Sequence, residues 1–270
     1  MCCRGCARAS VSFLAASRKL ELFALPGIPL VQDGDDLVRL IVEGYGRADI
    51  PPRPDDVLVV AQKIVSKAEG RSIALSSVTP SPRAVALGEE VGKDPRIVEL
   101  ILSESVRVVR SRPGLLIVEH RLGFVMANAG LDQSNVAPVT GEATALLLPV
   151  DPDASAARLR EGLAARFGTA PAVIVSDSFG RAWRRGTAGV AIGAAGLPAL
   201  LDLRGKPDLF GRTLEVSIIG FADEIAAAAS LLMGQADEAQ PAVIVRGLSW
   251  TAPATRGVEL VRPESEDLFR

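Results

Sequence analysis

A chain of 270 residues, 48% of them apolar, can build one large or two modest domains with a true core. Its apolar runs break before eighteen residues, which argues against a membrane span, and a net charge of −2 gives no basic field for nucleic acid. Three cysteines confined to "MCCRGC" and a single histidine, His120, argue against a disulfide framework and a zinc site, and point to a reducing, cytoplasmic setting.

Residues 1–18 lack the apolar core of a signal peptide and are expected to form a disordered extension. A strand is predicted over Leu20–Leu25. Asp35 is placed to cap a helix whose buried face carries Leu37, Leu40, Ile41 and Tyr45. "PPRPDD" is a stiff connector. The continuous apolar run Val57–Gln62 reads as a strand opening into the polar "KIVSKAEGR", a short loop or helix. Ser81-Pro82 and Asp94-Pro95 are twin helix starts, each a cap followed by proline in the first turn.

Short strands are predicted at 106–110, 115–119 and 123–127. A helix follows "LLLP", with Asp153 as cap and Leu159, Leu163 and Phe167 buried. "AVIVSDSFGRAWRRG" reads as strand then loop, and "LEVSIIGFA" as a further strand. "DEIAAAASLLMG" is a helix ended by Gly234, and "PAVIVRGL" a closing strand. Hairpin-like pairs close in sequence favour an α+β fold, with mixed and antiparallel sheets and packed helices, over an open α/β sheet. The main domain is expected over 19–250, possessing a soft internal boundary between 75 and 115, with 251–270 a peripheral tail.

Neither familiar nucleotide cradle is present, and "GVAIGAAG" spaces its glycines wrongly for both. Four other stretches carry chemistry. In "ANAGLDQSNV", Asp132 offers a hard anionic oxygen at a strand exit and Asn135 an amide; such donors suit Mg or Mn, although the spacing also fits an Asx-turn. In "VIVSDSFGRAWRRG", Asp177 ends a buried strand beside the Ser178 hydroxyl. Arg181, Arg184 and Arg185 follow, with Trp183 among them. A carboxylate for a cation and guanidinium forks for oxyanions are the inventory of a metal-bound phosphate site; a solvated turn is the plainer alternative.

Lys63 and Lys67, four apart, share a helical face and could grip a polyphosphate. "LRGKPDLFGRTLE" is a polar loop that contacts a ligand or a partner subunit. Asp223 and Glu224 read as caps and dipole partners at the start of the last helix. Gln235, beyond Gly234, is within reach of a nucleotide or metal. Together these residues imply an enzyme that transfers phosphoryl groups with a divalent cation.

From about Leu22 to Leu248, the ordered series "VLVVAQKIVSKAEGR", "KDPRIVELILSES", "IVEHRLGFVMANAGLDQSNV", "VIVSDSFGRAWRRGTAGVAIGAAGL", "RGKPDLFGR" and "ADEIAAAASLLMG" resembles the coenzyme F-420-0:L-glutamate ligase family. The resemblance implies a distinctive α+β fold in an intertwined homodimer. It also implies GTP as co-substrate, Mn²⁺ or Mg²⁺, and K⁺ as helper. The substrates would be F-420-0 and L-glutamate, joined through an acyl phosphate, with further γ-linked glutamates added.

Position by position, Asp132 and Asp177 match metal ligands, and Ser178 stands where the family has a metal-binding Thr. Ile28, Pro29, Leu30 and Val31 match a GTP-contacting stretch, and Gln62, Lys63, Lys67 and Asn135 further GTP contacts. Gln235 stands where several members have a metal-supporting Glu. We assign Asp132, Asp177 and Arg181 as catalytic. A GTP-binding sensor without turnover, or an amide ligase for another acceptor, are the rival readings.

Overall fold

A computed structural model describes residues 18–136 and 142–268. The expected disordered extension, with Cys2, Cys3 and Cys6, lies outside the described residues except for Arg18. Five strands form the central sheet: β1 (Glu21–Ala24), β2 (Val57–Ala61), β8 (Ala172–Gly180), β9 (Thr187–Ala195) and β12 (Ala242–Arg246), in the order β1-β12-β2-β8-β9. Only the β2–β8 pair is parallel; the others run antiparallel. The sheet is therefore mixed, and the α+β expectation holds.

β2 and β8 are apolar without alternation because both faces are covered. Leu58, Val60, Val173 and Val175 face one cluster, shared with α1 (Leu37–Arg47), α2 (Gln62–Ala68) and α5 (Pro152–Phe167). Val57, Val59 and Ile174 face a second cluster, built on Phe221, Ile225, Ala226 and Ala229 of α6 (Phe221–Met233). A buried ion pair ties the end of β12 to the residue before β2: Arg246 Nε lies 2.7 Å from Asp56 Oδ1, with the two residues 5% and 0% exposed.

Two helix starts differ from expectation. Asp36, not Asp35, caps α1 by accepting from Arg39 N at 3.0 Å; Asp35 closes the preceding turn through Gln32 N at 2.8 Å. Asp151, not Asp153, caps α5. Asp153 is buried, and its Oδ1 accepts from Ala194 N at 2.8 Å and Gly257 N at 2.6 Å. That carboxylate stitches the segment after Ser249 to β9.

The loop expected after β8 is present over 181–186, and it leads into β9, an edge strand of small residues for which the sequence reading assigned no element. A Cβ on Gly193 would lie 2.3 Å from the Pro152 backbone, and one on Gly189 2.5 Å from Ala226 O. The glycines of "GVAIGAAG" thus let α5 and α6 approach opposite faces of one strand.

The chain between α2 and α5 forms a third cluster, from Leu75 to Leu147. β3 (Ser72–Ala74) pairs with β7 (Thr144–Leu146) where the chain leaves and returns. Between them lie α3 (Pro82–Val91), α4 (Pro95–Ser103) and the antiparallel β4 (Ser105–Arg112), β5 (Leu115–His120) and β6 (Val125–Ala127). Ser81 and Asp94 cap α3 and α4 as predicted.

Glu104 fastens this unit to the rest, with Arg71 and Arg121 each 2.9 Å from its carboxylate and buried His120 at 3.5 Å. Burial alone would raise the Glu104 pKa; the hydrogen bonds from His120, Arg71 and Arg121 outweigh it and hold the group at about 2.

The expected strand in "LEVSIIGFA" shrinks to β11 (Ile218–Ile219), paired with β10 (Leu201–Asp202) at the base of an arm. The arm's tip is apolar and open, Leu209 being 76% and Phe210 90% exposed. Among the described residues, no helix is long and apolar enough to cross a membrane.

Candidate active site

The parallel register of β2 and β8 aligns Ala61 with Ser176. There β2 ends and Gln62 opens α2, while β8 runs on past Asp177, expected at its end, to Gly180, so Gln62 and Asp177 lie side by side where the parallel pairing stops. Gln62 opens α2 and is buried; its Oε1 accepts from Ser66 Oγ at 2.8 Å. That bond turns the Gln62 amide N–H toward Asp177, whose carboxyl it meets, together with the backbone N–H of Ser178.

Lys63 and Lys67 lie on the same helix and reach the same loop, as their spacing predicts. Lys63 Nζ is 2.7 Å from Asp132 Oδ2 and 2.9 Å from Ser134 Oγ; Lys67 Nζ donates to Asn135 O at 2.7 Å. The loop is shaped by an Asx-turn, with Asp132 Oδ1 accepting from Ser134 N at 2.8 Å and Ser134 Oγ at 2.7 Å. The Asx-turn reading of Asp132 holds: one oxygen builds the turn and the other faces Lys63. Asn135, at φ 55°, donates from Nδ2 to Ala236 O at 2.8 Å and brings the segment carrying exposed Gln235 alongside.

The two carboxylates titrate apart. Burial pushes Asp177 up, and the like charge of Asp132 adds to this; bonds from Ser178 and Gln62 and the charge of Lys63 oppose it, leaving Asp177 at about 7. Burial also opposes ionisation of Asp132, but hydrogen bonds from Lys63 and Ser134 win and hold it below the usual range. The charge of Asp132 is thus felt by Asp177 although 45 positions separate them. Burial, then repulsion from Lys63, lowers the Lys67 pKa.

Among the described residues, no group of three or more His, Cys, Asp or Glu gathers as a metal cage. A pair of partly buried carboxylates suits instead a Mg²⁺- or Mn²⁺-class ion, which would take its remaining oxygens from phosphates and water.

Ile28 and Val31 are buried in the first cluster, while Pro29 and Leu30 are exposed. The segment runs into the end of α2, where Gly34 N donates to Ala68 O at 3.0 Å, one residue past Lys67. Arg181, Arg184 and Arg185 occupy the exposed tip of the β8–β9 hairpin, with Trp183 at φ 64° and 92% exposed. No hydrogen bond or ion pair joins their side chains to the two aspartates. Ser134 escapes sequence reasoning, although D-x-S after a strand is the signal for an Asx-turn whose hydroxyl folds back.

A family model described as "F420-0:Gamma-glutamyl ligase" matches residues 27–247. The chain is 45% identical over 253 residues to "Coenzyme F420:L-glutamate ligase" of Methanothermobacter thermautotrophicus, covering 93% of this chain and 99% of that protein. It is 46% identical over 258 residues to the protein of the same name from Methanopyrus kandleri, with the same shares covered. The protein of that name from Archaeoglobus fulgidus is 42% identical over 252 residues, covering 93% of this chain and 97% of the relative. With the match spanning α1 to β12 and every element that shapes this cleft, the chain belongs to the F420-0:gamma-glutamyl ligase family.

Proposed function

We propose that this chain is a GTP-dependent ligase that joins L-glutamate to coenzyme F-420-0 through an acyl phosphate, and adds further γ-linked glutamates. One observation carries the reading: in a chain of this family, Asp132 and Asp177 converge beside Lys63, Lys67, Gln62 and Asn135 from three distant stretches. Asp132 and Asp177, with Ser178 beside them, would hold Mg²⁺ or Mn²⁺, which neutralises charge on a triphosphate and its leaving group. K⁺ is retained as a helper on the strength of the resemblance alone.

The chemistry divides into two displacements. An acceptor carboxylate oxygen bonds to the γ-phosphorus as the bond to GDP breaks. The glutamate amine then bonds to the acyl carbon, phosphate leaves and the amine loses a proton. Lys63 and Lys67 place ammonium groups where phosphate oxygens gain charge. Gln62, oriented by Ser66, holds the Asp177 carboxyl. Ile28–Val31 and Gln235 border the nucleotide, and Arg181 on its hairpin meets the transferring or acceptor oxyanion.

A homodimer belongs to the proposal, supported by the arm whose apolar tip, Leu209 and Phe210, stands open in the single chain. So does a cytoplasmic location, supported by a body free of cysteine. The test is mass spectrometry of purified protein with F-420-0, GTP, Mn²⁺ and glutamate. Products heavier by glutamyl units, with GDP released, are expected; tight GTP binding with neither product would favour the sensor and overturn the ligase.

A further inference from the structure

Next to Asp177 lies a cavity of about 260 Å³ that none of the assigned residues uses. Val190, which faces Asp177 directly across the β8–β9 ladder, lines it, as does Phe179, two residues along the same face of β8. Directly opposed side chains are about 5 Å apart and i,i+2 neighbours about 7 Å, so the cavity adjoins the reacting centre. Phe124 stacks edge-on to Phe179 at 5.8 Å, and Leu260 completes an apolar wall.

Three charged residues also line it, Asp223, Arg262 and Asp267, the last already engaged in an interaction of its own. Asp223 is a partly buried carboxylate with no ion pair to any described residue. Its Oδ1 accepts from Ala191 N at 2.8 Å. Arg262 is exposed and likewise has no ion pair to a described residue. Burial raises the Asp223 pKa, as it does for a carboxylate awaiting a cation. The cavity is below the roughly 300–1,000 Å³ of sites for larger ligands, too small for a deazaflavin with its tail.

We propose that this cavity binds the free amino acid, its ammonium at Asp223 and a carboxylate at Arg262, in line with the ligase reading on which the proposal rests. With Asp267 already engaged, the partly buried acid Asp223, the arginine and the apolar wall match an amino acid's ammonium, a carboxylate and its methylenes. The plainer role of Asp223 is to satisfy Ala191 N beside the irregular register between Val175 and Ser176. Asp223→Asn separates the two, because the amide oxygen still accepts that hydrogen bond while the charge is lost.

The test compares wild type, Asp223→Asn, Arg262→Gln and Arg262→Lys, with Mn²⁺, GTP and F-420-0, offering either glutamate or hydroxylamine as nucleophile. Hydroxylamine needs no amino-acid site and traps an acyl phosphate as hydroxamate. Asp223→Asn and Arg262→Gln should form hydroxamate at wild-type rate with unchanged KM for GTP, while KM for glutamate rises about tenfold or more. Arg262→Lys should recover most of the affinity. Unchanged KM for glutamate in both variants overturns the proposal, as does equal loss with both nucleophiles. A wild type that makes neither product overturns the ligase reading itself.

Discussion

The Lys63 ammonium lies 2.7 Å from Asp132 Oδ2, joining the first turn of α2 to a loop 69 positions away. The lysine neutralises the carboxylate that the proposed cation would contact, so a bound cation would leave Lys63 available to phosphate. Asp132→Asn should keep the fold and lower turnover by at least about a hundredfold. Lys63→Met should raise KM for GTP, because the ammonium is lost from the nucleotide side. Steady-state kinetics, with circular dichroism as the check on folding, decide both; near-normal turnover in Asp132→Asn would remove this carboxylate from the mechanism.

Asp177 predicts an ion-dependent pH profile. Its folded pKa of about 7 is above the ordinary 3.8, so the folded state holds the proton more tightly than the unfolded chain does. Stability from this group is therefore present below pH 3.8 and is lost as pH rises through 7. In chelator, Asp177→Asn should melt higher than wild type at pH 8 and similarly at pH 4. Mn²⁺ should stabilise wild type at pH 8 and leave Asp177→Asn unmoved, as read by thermal unfolding.

Glu104 carries the opposite sign. Its pKa is depressed from 4.5 to about 2, so its stabilisation is present above pH 4.5 and disappears as pH falls toward 2. Glu104→Gln should cost on the order of 2 kcal/mol at pH 7, solvent screening keeping the figure below the full pKa equivalent. The gap to wild type should close in acid titrations followed by near-ultraviolet dichroism.

At the end of β12, Asp56→Ala leaves the Arg246 guanidinium buried without its carboxylate. Chemical denaturation should register a loss of about 3–5 kcal/mol. Arg246 also donates to Pro51 O at 2.8 Å, so the connector before β2 should loosen and gain protease sensitivity.

The exposed arm tip predicts an assembly effect. Phe210→Asp with Leu209→Asp should leave the melting of the single chain unchanged and convert a dimer to a monomer in sedimentation. A monomeric wild type would dispose of the dimer.

Much of this was readable before folding. The apolar runs of β2 and β8, the caps Ser81 and Asp94, and the shared face of Lys63 and Lys67 follow from period and local chemistry. What escaped depends on distant partners. β9 drew no strand assignment because its small residues answer to α5 and α6 rather than to strand propensity. Asp153 looks like a cap, but its acceptors serve Ala194 and Gly257, far along the chain. Asp223 was half legible: it lies with Glu224 in the first turn of α6, as a dipole partner should, but Gly220 holds the cap position and the carboxylate reaches Ala191. The separation of the Asp132 and Asp177 titrations is a property of their convergence, which no single stretch contains.

The lone parallel pairing in the sheet carries a further consequence. Sliding β8 by one position against β2 would turn the Asp177 side chain to the opposite face, toward α6, and set a serine beside Gln62. Such a slip would leave an apolar strand still able to hydrogen-bond, yet without its acid. Alignment between two strands more than a hundred positions apart is thus as much a part of the reacting apparatus as any side chain, and shortening the helix or loops that lead into β8 should silence the protein before it unfolds it.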